Sequence, residues 1–250
     1  MTDRTASARA EFETQGYTII RGAFAPGDFA PFSNALLDLV RLRTGRRFGG
    51  LRDPALCAYF NQHRDVESDV YNGIRTVPEL APIARDARIA DGLRQLAPGR
   101  AFGLMEKLIV RIDLPGWEHE IAHWHQDYAY VQGNTETVTV WIPLQAVNPE
   151  NGCLLIAPAS HRLGPVNHAR RIGKRQCPPP ELVETFKPLE ARMEFGDVLL
   201  FHALLFHSGQ LNRSALPRYS FQFRYSPLGL PTNPEMGRLL PLADAVDSVR

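Results

Sequence analysis

His123, His125 and Asp127 stand at alternate positions in HWHQDYAY, residues 123–130, and each of these side chains can bind a metal. On a strand successive side chains alternate sides, so all three would share one face. Two histidines one residue apart suit zinc, whereas a histidine and an aspartate at that spacing suit iron with open coordination positions. A further ligand has to come from a distant strand, and LLFHALLFHSGQLNRSALPRYS, residues 199–220, offers His202 and His207. Being five apart on a continuous strand, these two face opposite sides. His202 is embedded in apolar residues and reads as a packed core histidine; His207, at a strand end before SGQLN, reads as the ligand. Eleven residues later Arg218 opens another strand. If His207 and Arg218 lie on facing sheets, they are about 10 Å apart. That gap fits a small dicarboxylate that chelates a metal at one end and takes bidentate hydrogen bonds from a guanidinium at the other.

The elements that would hold these residues are short strands. Beyond residue 100 the runs GLMEKLIVRI, IAHWHQDYAY, ETVTVWIPL, GCLLIAP, DVLLFHALLFH and PRYSFQFRY are separated by Pro, Gly and Asn, with no helical pattern between them. This is the texture of a jelly-roll barrel. Several runs have one polar and one apolar face. Arg218, Ser220, Gln222 and Arg224 alternate with Tyr219, Phe221, Phe223 and Tyr225; Thr137, Thr139 and Trp141 alternate with Val138, Val140 and Ile142; and Lys107 and Arg111 alternate with Leu108, Val110 and Ile112. A sheet with one wet outer face would show the same alternation. A small barrel packed on its outside by helices would instead turn the polar set inward, around a ligand.

The first 100 residues read as mainly helical after an opening strand at Tyr17 to Arg21. One helix carries Phe29, Phe32, Leu36, Leu37 and Val40 behind a cap at Asp28, and a second runs through ELAPIARDARIADGLRQL. Between them TGRRFGGLRDPALCAYFNQHRDVESDVYNG is polar and weakly periodic. It predicts a long loop, between about residues 43 and 77, that acts as a lid over the site.

Bulk composition narrows the function. The chain has 250 residues, and 28 basic residues nearly balance 27 acidic ones, which gives no electrostatic reason to expect nucleic acid or a membrane surface. No segment approaches the roughly 18 apolar residues of a membrane span, and the N-terminus lacks a signal-peptide stretch, so the expected compartment is the cytoplasm. Three scattered cysteines, Cys57, Cys153 and Cys177, argue for reduced structural thiols over a disulfide framework. The length suits a single domain over residues 1–250, with a mainly helical part at 1–100 and a jelly-roll core at 101–227. The basic run with Arg162, Arg170, Arg171, Lys174 and Arg175 reads as a solvated loop; it does not by itself indicate a carrier-protein-bound substrate.

WHQD, NGCLLIAPASHR and HSGQLNRSALPR together resemble the phytanoyl-CoA dioxygenase family of Fe(II)- and 2-oxoglutarate-dependent oxygenases, over about residues 100–227. The opening FETQGYTIIRGAF is similar to that family's N-terminus. The resemblance implies a double-stranded β-helix with His125, Asp127 and His207 as iron ligands, and leaves His123 as a neighbour. By the same resemblance Arg218 holds the distal carboxylate of 2-oxoglutarate with Ser220 as companion, Trp141 lies beside the cosubstrate, and Lys107 sits near its other end. The implied reaction is O2-dependent hydroxylation of a C–H bond in a small molecule, with release of succinate and CO2. A carboxylate at Asp127 speaks against halogenation, which needs a small residue there. Two rival readings stand beside it: a zinc hydrolase using His123, His125 and His207, and a metal-free barrel that binds an anion. The zinc reading leaves Asp127 and Arg218 unexplained, and the binding reading leaves the histidines without a purpose.

Overall fold

Helix α1 (Thr2–Gln15) and strand β1 (Tyr17–Ile20) open the chain, followed by helices α2 (Ala30–Thr44), α3 (Pro54–Gln62), α4 (Arg64–Gly73), α5 (Leu80–Ala84) and α6 (Ala87–Leu96). Then strands take over: β2 (Phe102–Met105), β3 (Ile109–Asp113), β4 (Val138–Pro143), β5 (Leu155–Ile156), β6 (Arg170–Ile172), β7 (Arg175–Cys177), β8 (Leu189–Glu190), β9 (Val198–His202), β10 (His207–Ser208), β11 (Arg218–Pro227) and β12 (Leu239–Pro241). Short helices α7 (Tyr128–Val131) and α8 (Pro180–Glu184) interrupt them. This computed structural model describes residues 2–118, 121–131, 133–166, 170–172, 175–230 and 239–241. Among these residues no helix is long and apolar enough to cross a membrane.

Seven strands make one antiparallel sheet in the order β1-β9-β4-β11-β2-β12, with β3 also on β11; β10-β5-β8 make a second sheet, and β6 and β7 a hairpin. This is the expected jelly roll with flanking helices. Strand β11 shows why the alternating sequence folds this way. Tyr219, Phe221, Phe223 and Tyr225 are buried against the helical layer, where Phe221 meets Phe32 edge-on with ring centroids 4.7 Å apart. Val138, Val140 and Ile142 of β4 and Val198 and Leu200 of β9 join the same core. Each large apolar side chain buried there contributes roughly 1.5–3 kcal/mol. The helices therefore cover the outer face of the large sheet, and the polar set of β11 is left facing inward.

Several expected elements differ. The segment expected to be a long loop contains α3 and α4, so it is not the open loop that a lid would need. Asp53 caps α3 by accepting from the Ala55 amide at 2.8 Å, and Leu56, Phe60 and Val70 are buried in the main core. ELAPIARDARIADGLRQL is two helices, because Asp86 stops one and caps the next through the Arg88 amide at 2.9 Å. Asp28 accepts from the Ala25 amide at the preceding 3-10 turn and pairs with Arg88, so its capping partner is not α2. GLMEKLIVRI breaks into β2 and β3, and DVLLFHALLFH into β9 and β10. His202 and His207 thus belong to different sheets, not to two faces of one strand. Cys57, Cys153 and Cys177 are free and buried. In the basic run Arg162 is exposed; Lys174 and the side chains of Arg170, Arg171 and Arg175 lie outside the described residues.

Candidate metal centre

His207 is placed by two neighbours. Strand β5 pairs it with Ile156, and on its other side it exchanges two backbone hydrogen bonds with His125, both 3.0 Å, which brings the two imidazoles to a centroid separation of 4.1 Å. The NGC…SHR stretch holds this strand from behind. Gly152, with φ +83°, lies so close to the Gln210 carbonyl that a Cβ would approach to 2.6 Å, so only glycine fits there. Gln210 Nε2 donates to the Cys153 carbonyl at 3.0 Å, and Ser160 Oγ accepts from the Phe206 amide at 2.8 Å.

HWHQDYAY is not a strand, contrary to the sequence reading. After the single bridge at His125 the backbone turns, with the Tyr130 and Val131 amides bonded to the Asp127 carbonyl and the Tyr128 amide to Ala203. Gln126, between the two candidate ligands, clamps this turn by donating to the Gly164 and Leu204 carbonyls and accepting from the Val166 amide. His125 and Asp127 still converge, although no strand parity aligns them.

The donor chemistry at the centre is well defined. His125 Nδ1 lies 2.7 Å from the His123 carbonyl and His207 Nδ1 3.1 Å from the Leu205 carbonyl, so each Nδ1–H donates to backbone and each Nε2 keeps its lone pair. Those Nε2 atoms face Asp127 Oδ1 at 3.6 and 3.8 Å. Burial pushes the His207 imidazole down to about 3, which keeps it neutral near pH 7. Asp127 is 2% exposed; burial alone would raise its carboxyl, but the Arg224 guanidinium with His125 and His207 holds it well below the usual range. Its oxygens are divided. Oδ2 accepts from Thr139 Oγ1 at 2.6 Å and Arg224 Nε at 3.1 Å, and Oδ1, which also takes Arg224 Nη2 at 2.9 Å, looks toward the histidines. Among the described residues His125, Asp127 and His207 are the group whose ligand atoms all lie within 4.8 Å of one another. The His123 ring is not in that group; only its carbonyl serves the centre.

Arg218 is 3% exposed, and the antiparallel register sets it opposite Asp113, whose Oδ2 accepts from Arg218 Nη2 at 2.7 Å. The counter-ion of Arg218 is thus Asp113, which also takes Arg111, while Glu136 pairs with Arg100. Ser220 Oγ stands 3.5 Å from Arg218 Nη1, and the Arg218 guanidinium carbon is 5.7 Å from the Trp141 ring centroid. Arg218 Nε, Trp141 Nε1 and Arg224 Nη1 are buried donors without a partner among the described residues. A cavity of about 280 Å³ joins the three candidate ligands to Lys107, Gln222, Arg224 and Tyr71. His202 is elsewhere, packed with Phe12 and His161 at a separate cavity of about 350 Å³.

Thr139, Arg224 and Asp113 escaped the sequence reading as parts of the site. The first two share the inward parity of their strands with Trp141 and Arg218, so parity alone could have nominated them; nothing local marks Asp113, which is set by cross-strand register.

The profile of the family described as Phytanoyl-CoA dioxygenase (PhyH) matches residues 12–220. The 1-deoxypentalenic acid 11-beta-hydroxylase of Streptomyces arenae is 39% identical over 113 residues, which is 41% of this chain and 40% of that relative. The match therefore spans about two fifths of the relative's length. The ectoine dioxygenase of Sphingopyxis alaskensis is 25% identical over 86% of this chain and 74% of its own. Two solved structures share the fold. The epimerase SnoN in complex with Fe3+, alpha ketoglutarate and nogalamycin RO has a TM-score of 0.63 and 19% identity, covering 97% of both chains. EctD from S. alaskensis with 2-oxoglutarate and 5-hydroxyectoine has a TM-score of 0.63 and 20% identity, covering 95% of this chain and 85% of that one.

Proposed function

Because this chain belongs to the phytanoyl-CoA dioxygenase family, we propose that it is a non-haem Fe(II)- and 2-oxoglutarate-dependent dioxygenase that hydroxylates a C–H bond of a small molecule. The reading treats residues 1–250 as one catalytic domain. The observation that carries it is the convergence of three acceptors, His125 Nε2, Asp127 Oδ1 and His207 Nε2, with the Nδ1 hydrogens of both histidines turned away to backbone carbonyls. Three lone pairs aimed at one point call for a cation, which disfavours a metal-free barrel. Two imidazoles and one carboxylate are the donor set that suits Fe(II) with open positions.

When bound, the iron with 2-oxoglutarate supplies oxidation of a C–H bond coupled to loss of CO2 and formation of succinate. The protein's share is to bind, orient and exclude water. His125, Asp127 and His207 hold the metal. Thr139 and the Arg224 fork hold the Asp127 carboxylate by both oxygens, so that Oδ1 stays turned toward the histidines. Arg218 fits the distal carboxylate of the cosubstrate: Nη2 is on Asp113, and buried Nε has no partner among the described residues, a donor whose loss of water would cost about 1–3 kcal/mol until an anion arrives. Ser220 and the Trp141 indole, whose N–H has no partner among the described residues, are buried beside Arg218. Lys107, assigned in this reading to the cosubstrate's other end, is exposed and lines the cavity that holds the three ligands.

The relatives' names, a hydroxylase of 1-deoxypentalenic acid and a dioxygenase of ectoine, support a small-molecule substrate. A direct test is cosubstrate turnover without added substrate. Protein given Fe(II), 2-oxoglutarate and O2 is expected to release succinate slowly, and to stop when iron or oxygen is withheld. Hydrolysis of model esters by the Zn(II)-loaded protein, with no succinate from the iron form, would favour the zinc reading.

A further inference from the structure

The inward face of β11 carries four polar side chains, Arg218, Ser220, Gln222 and Arg224. Three of them are matched by the protein. Arg218 donates to Asp113, Ser220 Oγ stands 3.5 Å from Arg218 Nη1, and Arg224 holds Asp127 by both oxygens. Gln222 is the exception. Its amide makes no hydrogen bond among the described residues, and its half-buried side chain lines the cavity that holds His125, Asp127 and His207. Register sets it opposite Ile109 of β3, which lines the same cavity together with Tyr71 of α4, Ala122 and Leu154. The charged groups nearby are engaged elsewhere or turned to solvent: Arg224 is on Asp127, Arg111 is on Asp113, and Lys107 is exposed. Gln222 therefore presents an open amide to the metal cavity among aliphatic and aromatic neighbours.

The cosubstrate leaves that amide unmatched. In the reading above its distal carboxylate meets Arg218 and its keto-acid end meets the metal, and the two methylenes between them neither donate nor accept. Gln222 lies between Arg218 and Arg224 on the strand, along this apolar stretch. We propose that Gln222 is a specificity-determining residue that hydrogen-bonds a carboxamide or hydroxyl group of the primary substrate, while Tyr71, Ile109 and Leu154 wall the apolar part of the same molecule. A ligand that fills the cavity strips water from the amide, and one without a matching group leaves it desolvated and unpaired. Sites that read a polar group by such a contact reject the analogue lacking it. The cavity, about 280 Å³, falls just below the roughly 300–1,000 Å³ of small-molecule sites, so the end of the substrate that enters is small. The proposal rests on the reading of this centre as that of an iron and 2-oxoglutarate oxygenase, and narrows its substrates to molecules with an amide-like or hydroxyl group close to the reacting carbon.

The probes are primary carboxamides from propanamide to hexanamide, primary alcohols of the same lengths, and 1-chloroalkanes that fill the same space without a comparable hydrogen-bonding group. Each is titrated calorimetrically into the metal-free protein and into the anaerobic Fe(II) and 2-oxoglutarate complex. The expected result is that amides or alcohols bind about tenfold or more tighter than the chlorides, the stronger series naming the group that is read. Gln222→Met, similar in volume but without the amide, should weaken that series about threefold to tenfold and leave the chlorides and 2-oxoglutarate within about twofold. Gln222→Asn, which draws the amide back by one methylene, should weaken the same series and serves as the reading if Gln222→Met lowers the melting temperature. Chlorides binding as well as amides and alcohols, no binding by either polar series, or parent-like affinities in both variants would overturn the proposal. So would a variant that loses 2-oxoglutarate affinity and keeps that of the probes, since Gln222 would then serve the cosubstrate. A preference that depends on Gln222 in the metal-free protein, without any complex of iron and 2-oxoglutarate, would sustain the recognition while removing the oxygenase reading.

Discussion

Asp127→Ala is expected to abolish turnover and, in the metal-free protein, to cost roughly 3–5 kcal/mol of stability, because it leaves the buried Arg224 guanidinium without its counter-ion. Iron affinity should fall with it, since one of three ligand atoms is gone. The two losses can be separated. In Asp127→Ala combined with Arg224→Leu no buried charge is left unpaired, so most of the stability should return while iron affinity and turnover stay lost. Urea unfolding of the metal-free proteins and equilibrium dialysis against Fe(II) measure the two quantities. Parent-like iron binding in Asp127→Ala would remove Asp127 from the ligand set, and unchanged stability would mean that the Arg224 fork is not the pair described.

Arg218→Lys should lower the affinity for 2-oxoglutarate about 10-fold or more, in line with the roughly 1.5–3 kcal/mol of a charge-assisted contact. A lysine keeps the charge opposite Asp113 but loses the second and third donors of the fork, including the buried Nε that has no partner among the described residues. For that reason stability should change little and iron binding without cosubstrate should stay near that of the parent. Asp113 already balances the charge of the buried guanidinium. What awaits an anion is part of the hydrogen-bonding capacity. If the variant binds 2-oxoglutarate as the parent does while its melting temperature collapses, Arg218 is only the partner of Asp113.

Much of this arrangement could be read in the chain because it depends on parity. In β11 and β4 every second residue is apolar, and the sheet then has only two ways to lie; the helices packed on its outside, through Phe32 and its neighbours, decide between them. His125, Asp127 and His207 converge in the structure as expected. The means differ, however: a two-residue bridge and a turn clamped by Gln126 do what a regular strand was expected to do, and backbone hydrogen bonds to Ala203 and His207 that bend the chain there have no local signature. The strand break at Ala203 to Phe206 was hidden because apolar residues continue through it, and at the break from Glu106 to Leu108 no Gly or Pro marks the stop. Helix α3 was more accessible than the loop reading allowed. Asp53 followed by Pro54, with Leu56, Cys57 and Phe60 on one side, is a capped amphipathic start. Asp113 could be placed only by cross-strand register, which depends on how distant segments align.

The most direct test of the central claim is an anaerobic titration of the purified protein with Fe(II) and then 2-oxoglutarate, followed by visible absorption. Chelation of the cosubstrate on an iron held by two histidines and one carboxylate should produce a metal-to-ligand charge-transfer band that saturates at one iron per chain, is absent with Zn(II), and is lost in His207→Ala. Iron that binds without any such band when 2-oxoglutarate is added, or a band that survives intact in His207→Ala, would contradict the assignment of this centre.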